Sequence, residues 1–428
     1  MIKSPALVAR TALLASLAAA AGACDLLEVE DPSRFTDEAL NSPAALQSVA
    51  NGIEGDLHLS FDTYVIFTGM LADEFMHTGT WGQYDNVSKG RIRAEGVGDD
   101  GNIQSNYLQV RLAAQRAEER LRNVMGDTAT RSPLLAQIKA VEGWTNLLIG
   151  QAVCESPLLP GGEAVSDSAI IRAAIPLLTQ AMELAQTSGA TVYGNFARAG
   201  RARANLLVGE YDAALADAQV LPNTFMYSAK FSTATGGQNN LVYDNTHVDR
   251  RKAAGVNSLL WARVDTLQGF YIDPSTNMPD PRLPISHRNG VRGVDGVQLH
   301  YSANKYRALD DDIPMTHGME MRLIEAEVYW RKGDLGAALD RINLVRQAAG
   351  LAAIPDPGTP AGVLDVLLHE RFAQLFLEGQ RMHDLYRFGR VRQTLGADRA
   401  TKFALDNNEI IRNDNIPDAA AGRCPAVS

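Results

Sequence analysis

The sequence predicts a mainly α fold: tetratricopeptide-like helical hairpins form the body, and one long loop-rich insertion interrupts it. Three observations carry this expectation. Apolar residues recur three and four apart through most of the chain, as in Leu335, Ala338, Leu339, Ile342 and Val345 and again in Leu364, Leu368, Phe372 and Leu375. That is the stripe of a helix buried on one face. Two junctions are near copies, Gly209-Glu210-Tyr211-Asp212-Ala213-Ala214-Leu215 and Gly333-Asp334-Leu335-Gly336-Ala337-Ala338-Leu339. In each, a glycine supplies a left-handed helix stop, an acid is expected in the first turn of the next helix, and paired alanines permit close helix approach. The copies lie 124 residues apart, so the hairpins are separated by other segments and do not form a tandem array with a period of about 34 residues. Third, residues 222–314 lose the helical period and are rich in Gly, Asn, Asp and Pro, with β-compatible pieces such as Val297 to Tyr301. So long an irregular stretch on a helical scaffold is where binding groups are expected.

In chain order, Lys3 and Arg10 precede the Ala/Leu-rich run Thr11 to Ala21, too short for a spanning helix and suited to a signal peptide over residues 1–23. The run ends in Ala21-Gly22-Ala23-Cys24, a bacterial lipobox in which small residues admit the signal peptidase and the Cys24 thiol accepts the lipid. Two or more acyl chains, at about 0.8 kcal/mol per buried CH₂, hold a protein stably at a membrane. Residues 24–36 read as a lipidated acidic leader. A helical part follows over 37–221, with a loop-rich stretch at 79–101. The insertion covers 222–314, and a C-terminal helical part covers 315–428. Helices are expected over 37–59, 61–77, 102–125, 131–151, 168–187, 194–208, 211–220, 315–332, 335–349, 361–377 and 380–394.

Composition excludes several functions. The 428 residues carry 40 Lys+Arg against 50 Asp+Glu, a net charge of -10 with no basic stripe, so nucleic acid is not an expected partner. Removing residues 1–23 takes away Lys3 and Arg10 and no acid, which leaves -12. That balance favours a neutral glycan over a polyanionic one unless local arginines overrule it. Hydrophobic content of 46% argues against wholesale disorder. Of three cysteines, Cys24 is assigned to lipid. Cys154 and Cys424 either form a disulfide tying the tail to the body or remain thiols.

Gly96 to Gly101 matches a dinucleotide-binding pattern by letters only, since no strand precedes it and Asp99-Asp100 would repel a pyrophosphate. GxxxxGK[ST], HExxH, CxxC and GxSxG are absent, and His369 and His383 are too far apart on a helix to share one metal. Asp310-Asp311-Asp312 reads as a turn cluster rather than a calcium site. No catalytic constellation, metal site or cofactor is therefore expected.

The C-terminal third carries, in order, Glu325-Ala326-Glu327, Gly333-Asp334, Ala337-Ala338-Leu339, Ile342 to Arg346, Ala349-Gly350-Leu351, Glu370-Arg371, Phe376 to Arg381, Asp384-Leu385 and Arg387. Through these residues it resembles the SusD/RagB family of outer-membrane nutrient-binding lipoproteins. Cys24-Asp25 with Leu27-Glu28-Val29 and Pro32, Leu71 to Glu74, Asp280-Pro281-Arg282 and the tail from Phe403 to Ile416 extend it over most of the chain; Ala404, Asp406 and Asp414 stand where that family usually has prolines. The resemblance implies a right-handed helical body and a lipid-anchored, surface-exposed place in the outer membrane. It also implies a partner, a SusC-like TonB-dependent transporter that receives an oligosaccharide or, in some branches, a peptide. No chemistry is implied. The Glu370 to Arg387 signature is expected to be structural, with i,i+3 pairs Glu378/Arg381 and Arg381/Asp384.

Sugars present apolar C–H faces ringed by hydroxyls, so exposed aromatic rings beside amides or guanidinium groups suit them. Trp81, with Tyr84 and Asn86 beside it, is the leading anchor, while Tyr271, Asn277 and Arg282 of the insertion are further candidates. Trp144, Trp261 and Trp330 are expected in the core. Alternative readings are a tetratricopeptide-like scaffold for protein assembly, a peptide-binding member of the same family, and a lipoprotein hydrolase with an unrecognised carboxylate pair.

Overall fold

A computed structural model describes residues 37–92 and 102–416. Cys24, the leader, the glycine run 96–101 and Cys424 lie outside the described residues. The chain divides into a short unit ending at Ala45, where Asp37–Leu40 forms one helical turn, and a unit from Leu46 onward that holds everything below.

The expected helical body is present. The helices are α1 (Leu46–Leu71), α2 (Gly82–Ser88), α3 (Ile103–Met125), α4 (Pro133–Ala152), α5 (Asp167–Ser188), α6 (Thr191–Leu207) and α7 (Tyr211–Val220). After the insertion come α9 (Gly318–Arg331), α10 (Leu335–Ala348), α11 (Pro360–Gln374), α12 (Arg381–Arg387) and α13 (Val391–Leu395), with α8 (Leu241–Thr246) inside the insertion and α14 (Asn407–Arg412) in the tail. Successive helices from α3 to α7 pack on one another, α7 passes the stack to α9, and α9 packs with α10 and α11. The two copied junctions are the turns between α6 and α7 and between α9 and α10. Gly209 and Gly333 have φ of 86° and 81°, a left-handed stop that glycine takes without Cβ strain. Asp334 sits one position earlier than expected: its carboxylate caps α10 by accepting from the Ala337 N–H at 3.1 Å.

Several helix boundaries differ from expectation. Over the helices anticipated at 37–59 and 61–77 there is one continuous helix, α1, that starts only at Leu46, ends at Leu71 ahead of strand Phe75–His77, and is buried almost all round in its second half. The stretch anticipated as 380–394 breaks between α12 and α13, where Gly389 takes φ 63°. The body closes around Trp144, which is fully buried, stacks on Phe196 with centroids 4.7 Å apart and donates from Nε1 to the Phe196 carbonyl at 2.9 Å. Gly200 makes this possible, since a Cβ there would lie 2.8 Å from the indole. Trp330 is only half-buried, in a satellite cluster of α9 to α11.

The insertion is less irregular than its composition suggests. Antiparallel ribbons pair β1 (Phe75–His77) with β5 (Ala254–Val256), β4 (Met226–Ala229) with β11 (Ile313–His317), and β9 (Ile285–Ser286) with β10 (Ser302–Ala303). A three-stranded ribbon joins β6 (Val264–Asp265), β7 (Phe270–Ile272) and β8 (Pro279–Asp280). Before the insertion, β2 (Glu155–Pro157) pairs with β3 (Ala164–Ser166). Val297 to Tyr301 contributes only an isolated bridge, Arg292 to Leu299. Two of these ribbons reach out of the insertion, so it is sewn into the body and not hung from it: β1 follows α1 in sequence, and β11 runs straight into α9.

Cys154 is disulfide-bonded, and its partner lies outside the described residues. Around it the tail is docked: the Cys154 N–H donates to the Phe403 carbonyl at 3.1 Å, and Asn413 Nδ2 donates to the Gly162 carbonyl at 2.8 Å.

Trp144→Ala is expected to cost about 3–5 kcal/mol, read as a lower urea midpoint of the helical body. A loss below about 1 kcal/mol would show that the α4–α6 seam is not central.

Candidate functional site

The site is built on the β1–β5 ribbon. Phe75, Met76 and His77 pair with Val256, Gly255 and Ala254, so each end of a three-residue ribbon carries its own aromatic group. The two ends are about 7 Å apart along the strand.

At the His77 end the chain turns into α2. The stretch expected as loop is this helix, and Trp81 occupies its N-cap position with β backbone. The Trp81 N–H donates to His77 Nε2 at 3.2 Å. That bond needs an unprotonated Nε2, and burial lowers the His77 pKa, which keeps the ring neutral. Gly79 allows the seat, because a Cβ there would stand 2.5 Å from His77 Cε1. Tyr84 is half-buried and meets three rings edge-on: Phe67 of α1 at 4.6 Å, His77 at 5.6 Å and Trp81 at 4.8 Å. Trp81 is thereby held at its edge while 49% of it stays exposed. Asn86 is half-buried one turn on; its carbonyl accepts from Arg91 N–H at 2.8 Å, and its amide has no partner among the described residues.

At the Val256 end stands a group the sequence did not mark. Trp261, expected in the core, is half-buried and stacks on Tyr301 at 4.4 Å and 14°, while its Nε1 donates to the Val256 carbonyl at 2.8 Å. His287 stacks on the same Tyr301 at 4.4 Å and 8°. Tyr301 accepts the Val256 N–H through its carbonyl at 2.8 Å, which fixes the stack to the ribbon. These three residues are far apart in sequence and share no motif, so no local signal could have joined them.

The other expected residues do not come to this site. Tyr271 is buried in β7 and lines a separate cleft with His369, Phe372 and Arg381. Asn277 is the left-handed residue, φ 56°, of the exposed turn between β7 and β8, and its N–H donates to the Asp273 carbonyl. Arg282 is taken by structure: Nε and Nη2 bond Asp280 at 3.0 and 2.7 Å and Nη1 bonds Glu370 at 2.7 Å, which leaves no free edge for a ligand.

The acids and arginines of the C-terminal signature are structural, as expected, but with other partners. Arg381 pairs with Asp73 through two 2.7 Å bonds and Glu378 bonds Lys305 and His317, all distant in sequence, whereas Asp384 bonds Arg371 and, three residues on, Arg387. The pair Glu378/Arg381 is not made because a turn with φ of 56° at Leu377 and 73° at Gly379 precedes α12, and Arg381 turns to Asp73 instead of Asp384 of its own helix. The buried Asp384 carboxyl would be raised by desolvation, but Arg371 and Arg387 outweigh that and hold it well below the usual range. Among the described residues no group of three or more metal-ligating side chains is present, and Asp311 instead caps the backbone N–H groups of Arg307 and Ala308.

With fold and site geometry in view, the molecule is a mainly helical scaffold of packed hairpins interrupted by a loop-rich insertion. Residues 319–421 match the family model described as the SusD family. A SusD superfamily protein from Bacteroides vulgatus superposes with a TM-score of 0.67 at 16% identity, covering 87% of this chain and 98% of that one. Another from Bacteroides thetaiotaomicron gives 0.67 at 14%, covering 88% and 98%. The surface glycan-binding protein A from Bacteroides fluxus gives 0.61 at 14%, covering 87% and 94%. A comparison with curated protein sequences finds no match.

Two measurements check this geometry. Glu74, beneath β1, is fully buried; desolvation raises its carboxyl to about 8, although the Leu377 N–H bonds Oε1 at 2.7 Å and Arg381 and Lys305 lie near. Unfolded, it titrates near its ordinary value of 4.5, so the unfolded chain sheds this proton first and stability falls as pH rises from about 4.5 to about 8. Glu74→Gln keeps the acceptor but cannot ionise, and should flatten that fall in a series of denaturant midpoints; an unchanged slope would show Glu74 to be ionised in the fold. Gly79→Ala should displace His77, loosen Trp81 and red-shift its emission, with little change in melting temperature.

Proposed function

We propose that this protein is a surface-tethered binding protein for an oligosaccharide, without catalysis of its own. The observation that carries it is the half-exposed Trp81 ring, braced edge-on by Tyr84 on the ribbon that also holds the Trp261–Tyr301–His287 stack. Rigid, partly exposed rings suit the C–H faces of successive sugar units, and the open Asn86 amide can bond their hydroxyls. The relative from Bacteroides fluxus is named as glycan-binding, and SusD-like relatives from Bacteroides vulgatus and Bacteroides fragilis are named as carbohydrate-binding.

In this reading Cys24 carries the lipid that holds the protein at the outer membrane, and Cys154 pairs with Cys424. The captured chain is handed to a SusC-like TonB-dependent transporter. Among the described residues no helix is long and apolar enough to cross a membrane, which accords with anchoring through lipid.

Titration calorimetry over a panel of neutral oligosaccharides should find a ligand whose affinity falls at least about fivefold in Trp81→Ala, given at least about 1 kcal/mol for a contributing contact ring. Hits that bind Trp81→Ala as well as the parent would place the ligand elsewhere.

A further inference from the structure

A second cleft, of about 670 Å³, opens where the insertion meets α9 and α11, away from the β1–β5 ribbon. Its walls are flat and apolar: Phe225, Phe270, Pro281, Pro284 and Pro314, with Met226 left 59% exposed. Phe225 and Phe270 stack on no other ring among the described residues, and Phe270 belongs to none of the apolar core clusters. Apolar surface of this kind left open in a soluble unit needs a reason.

The charged groups of the cleft are mostly cationic. Arg282, Lys305 and Arg307 line it against one carboxylate, Glu378. Two of the three are already neutralised: Arg282 by Asp280 and Glu370, and Lys305 by Glu378, whose other oxygen takes His317. Arg307 is exposed, and its guanidinium has no partner among the described residues. Asp311 turns its Oδ2 to the backbone N–H groups of Arg307 and Ala308 and not to the guanidinium. An unpaired guanidinium at the lip of an aromatic and proline-walled cleft, in a chain of net charge -10, complements a flat apolar body that ends in a carboxylate. Gln374 adds an amide with no partner among the described residues.

We propose that this cleft is a second binding site, independent of the Trp81 surface, and that it takes an aromatic carboxylate. The ring system lies between Phe225, Phe270 and the prolines, and the carboxylate meets Arg307. A flat ligand is favoured over a flexible alkyl acid because the walls are rings and because ordering an alkyl chain costs rotamer entropy that a planar conjugated acid does not lose.

The probe is ferulate, titrated calorimetrically into the full protein beside its methyl ester and octanoate. Ferulate should bind, and the ester should bind at least about tenfold more weakly, as a lost charge-assisted hydrogen bond requires. Arg307→Gln should cause a similar loss; because Arg307 is exposed and unpaired, the variant should melt with the parent. Phe270→Ala should weaken ferulate with its ester preference intact, and Trp81→Ala should leave it unchanged. The proposal is overturned if the ester matches the acid, if Arg307→Gln leaves affinity intact, if Trp81→Ala abolishes binding, or if octanoate binds as tightly as ferulate. Since these readouts do not involve oligosaccharide, failure here leaves the Trp81 reading standing, and failure of that reading leaves this one standing.

Discussion

The structure hangs on the grip between the Asp73-Glu74 pair and the turn that follows α11. Asp73 takes Arg381 through two bonds and Glu74 takes the Leu377 N–H, so an acid pair at the start of the ribbon holds a turn some three hundred residues further on. The turn contains two left-handed residues, one of them a non-glycine, a conformation that persists only where surrounding bonds over-determine it. Tyr64 of α1 leaves no room for a side chain at Gly379, since a Cβ there would lie 2.4 Å from the ring. The aromatic site thus rests on a floor tied to the C-terminal helices.

Around that grip the buried charges form a connected set. Glu370 and Arg371 are neighbours on α11 but point about 100° apart. Glu370 holds Arg282 of the insertion and Arg346 of α10, while Arg371 holds Asp384 of α12. Arg387 completes the second group through Asp384 and Glu327. Desolvating so many ions is costly, and removing one partner leaves a buried charge, at about 3–5 kcal/mol. Such pairs specify register more than they add stability: a helix shifted by one residue would strand every one of them. That is a sufficient reason for a signature made of Glu, Arg and Asp.

Legibility varied with how local each determinant is. The helical stripes and the glycine stops at 209 and 333 were readable because each acts within one or two turns of chain; Asp334, expected in the first turn, became the cap. Trp81 with Tyr84 was readable as a cluster because one short helix holds both. Arg282 was misjudged as a ligand group: its sequence neighbours show an Asp and prolines, whereas its fate depends on Glu370, 88 residues away. Trp261 was misjudged for the same reason, since only the fold brings Tyr301 and His287 against it.

By itself the sequence determined the helical body and the family resemblance through its signature residues. Period, capping and composition are properties of contiguous chain. The tertiary structure alone decided which arginines are spent on buried acids and which is left open, that two aromatic groups share one ribbon, and that a cationic cleft lies beside β11. Those outcomes depend on which distant residues exhaust one another's hydrogen-bonding and charge capacity, and that pairing is made only when the chain folds.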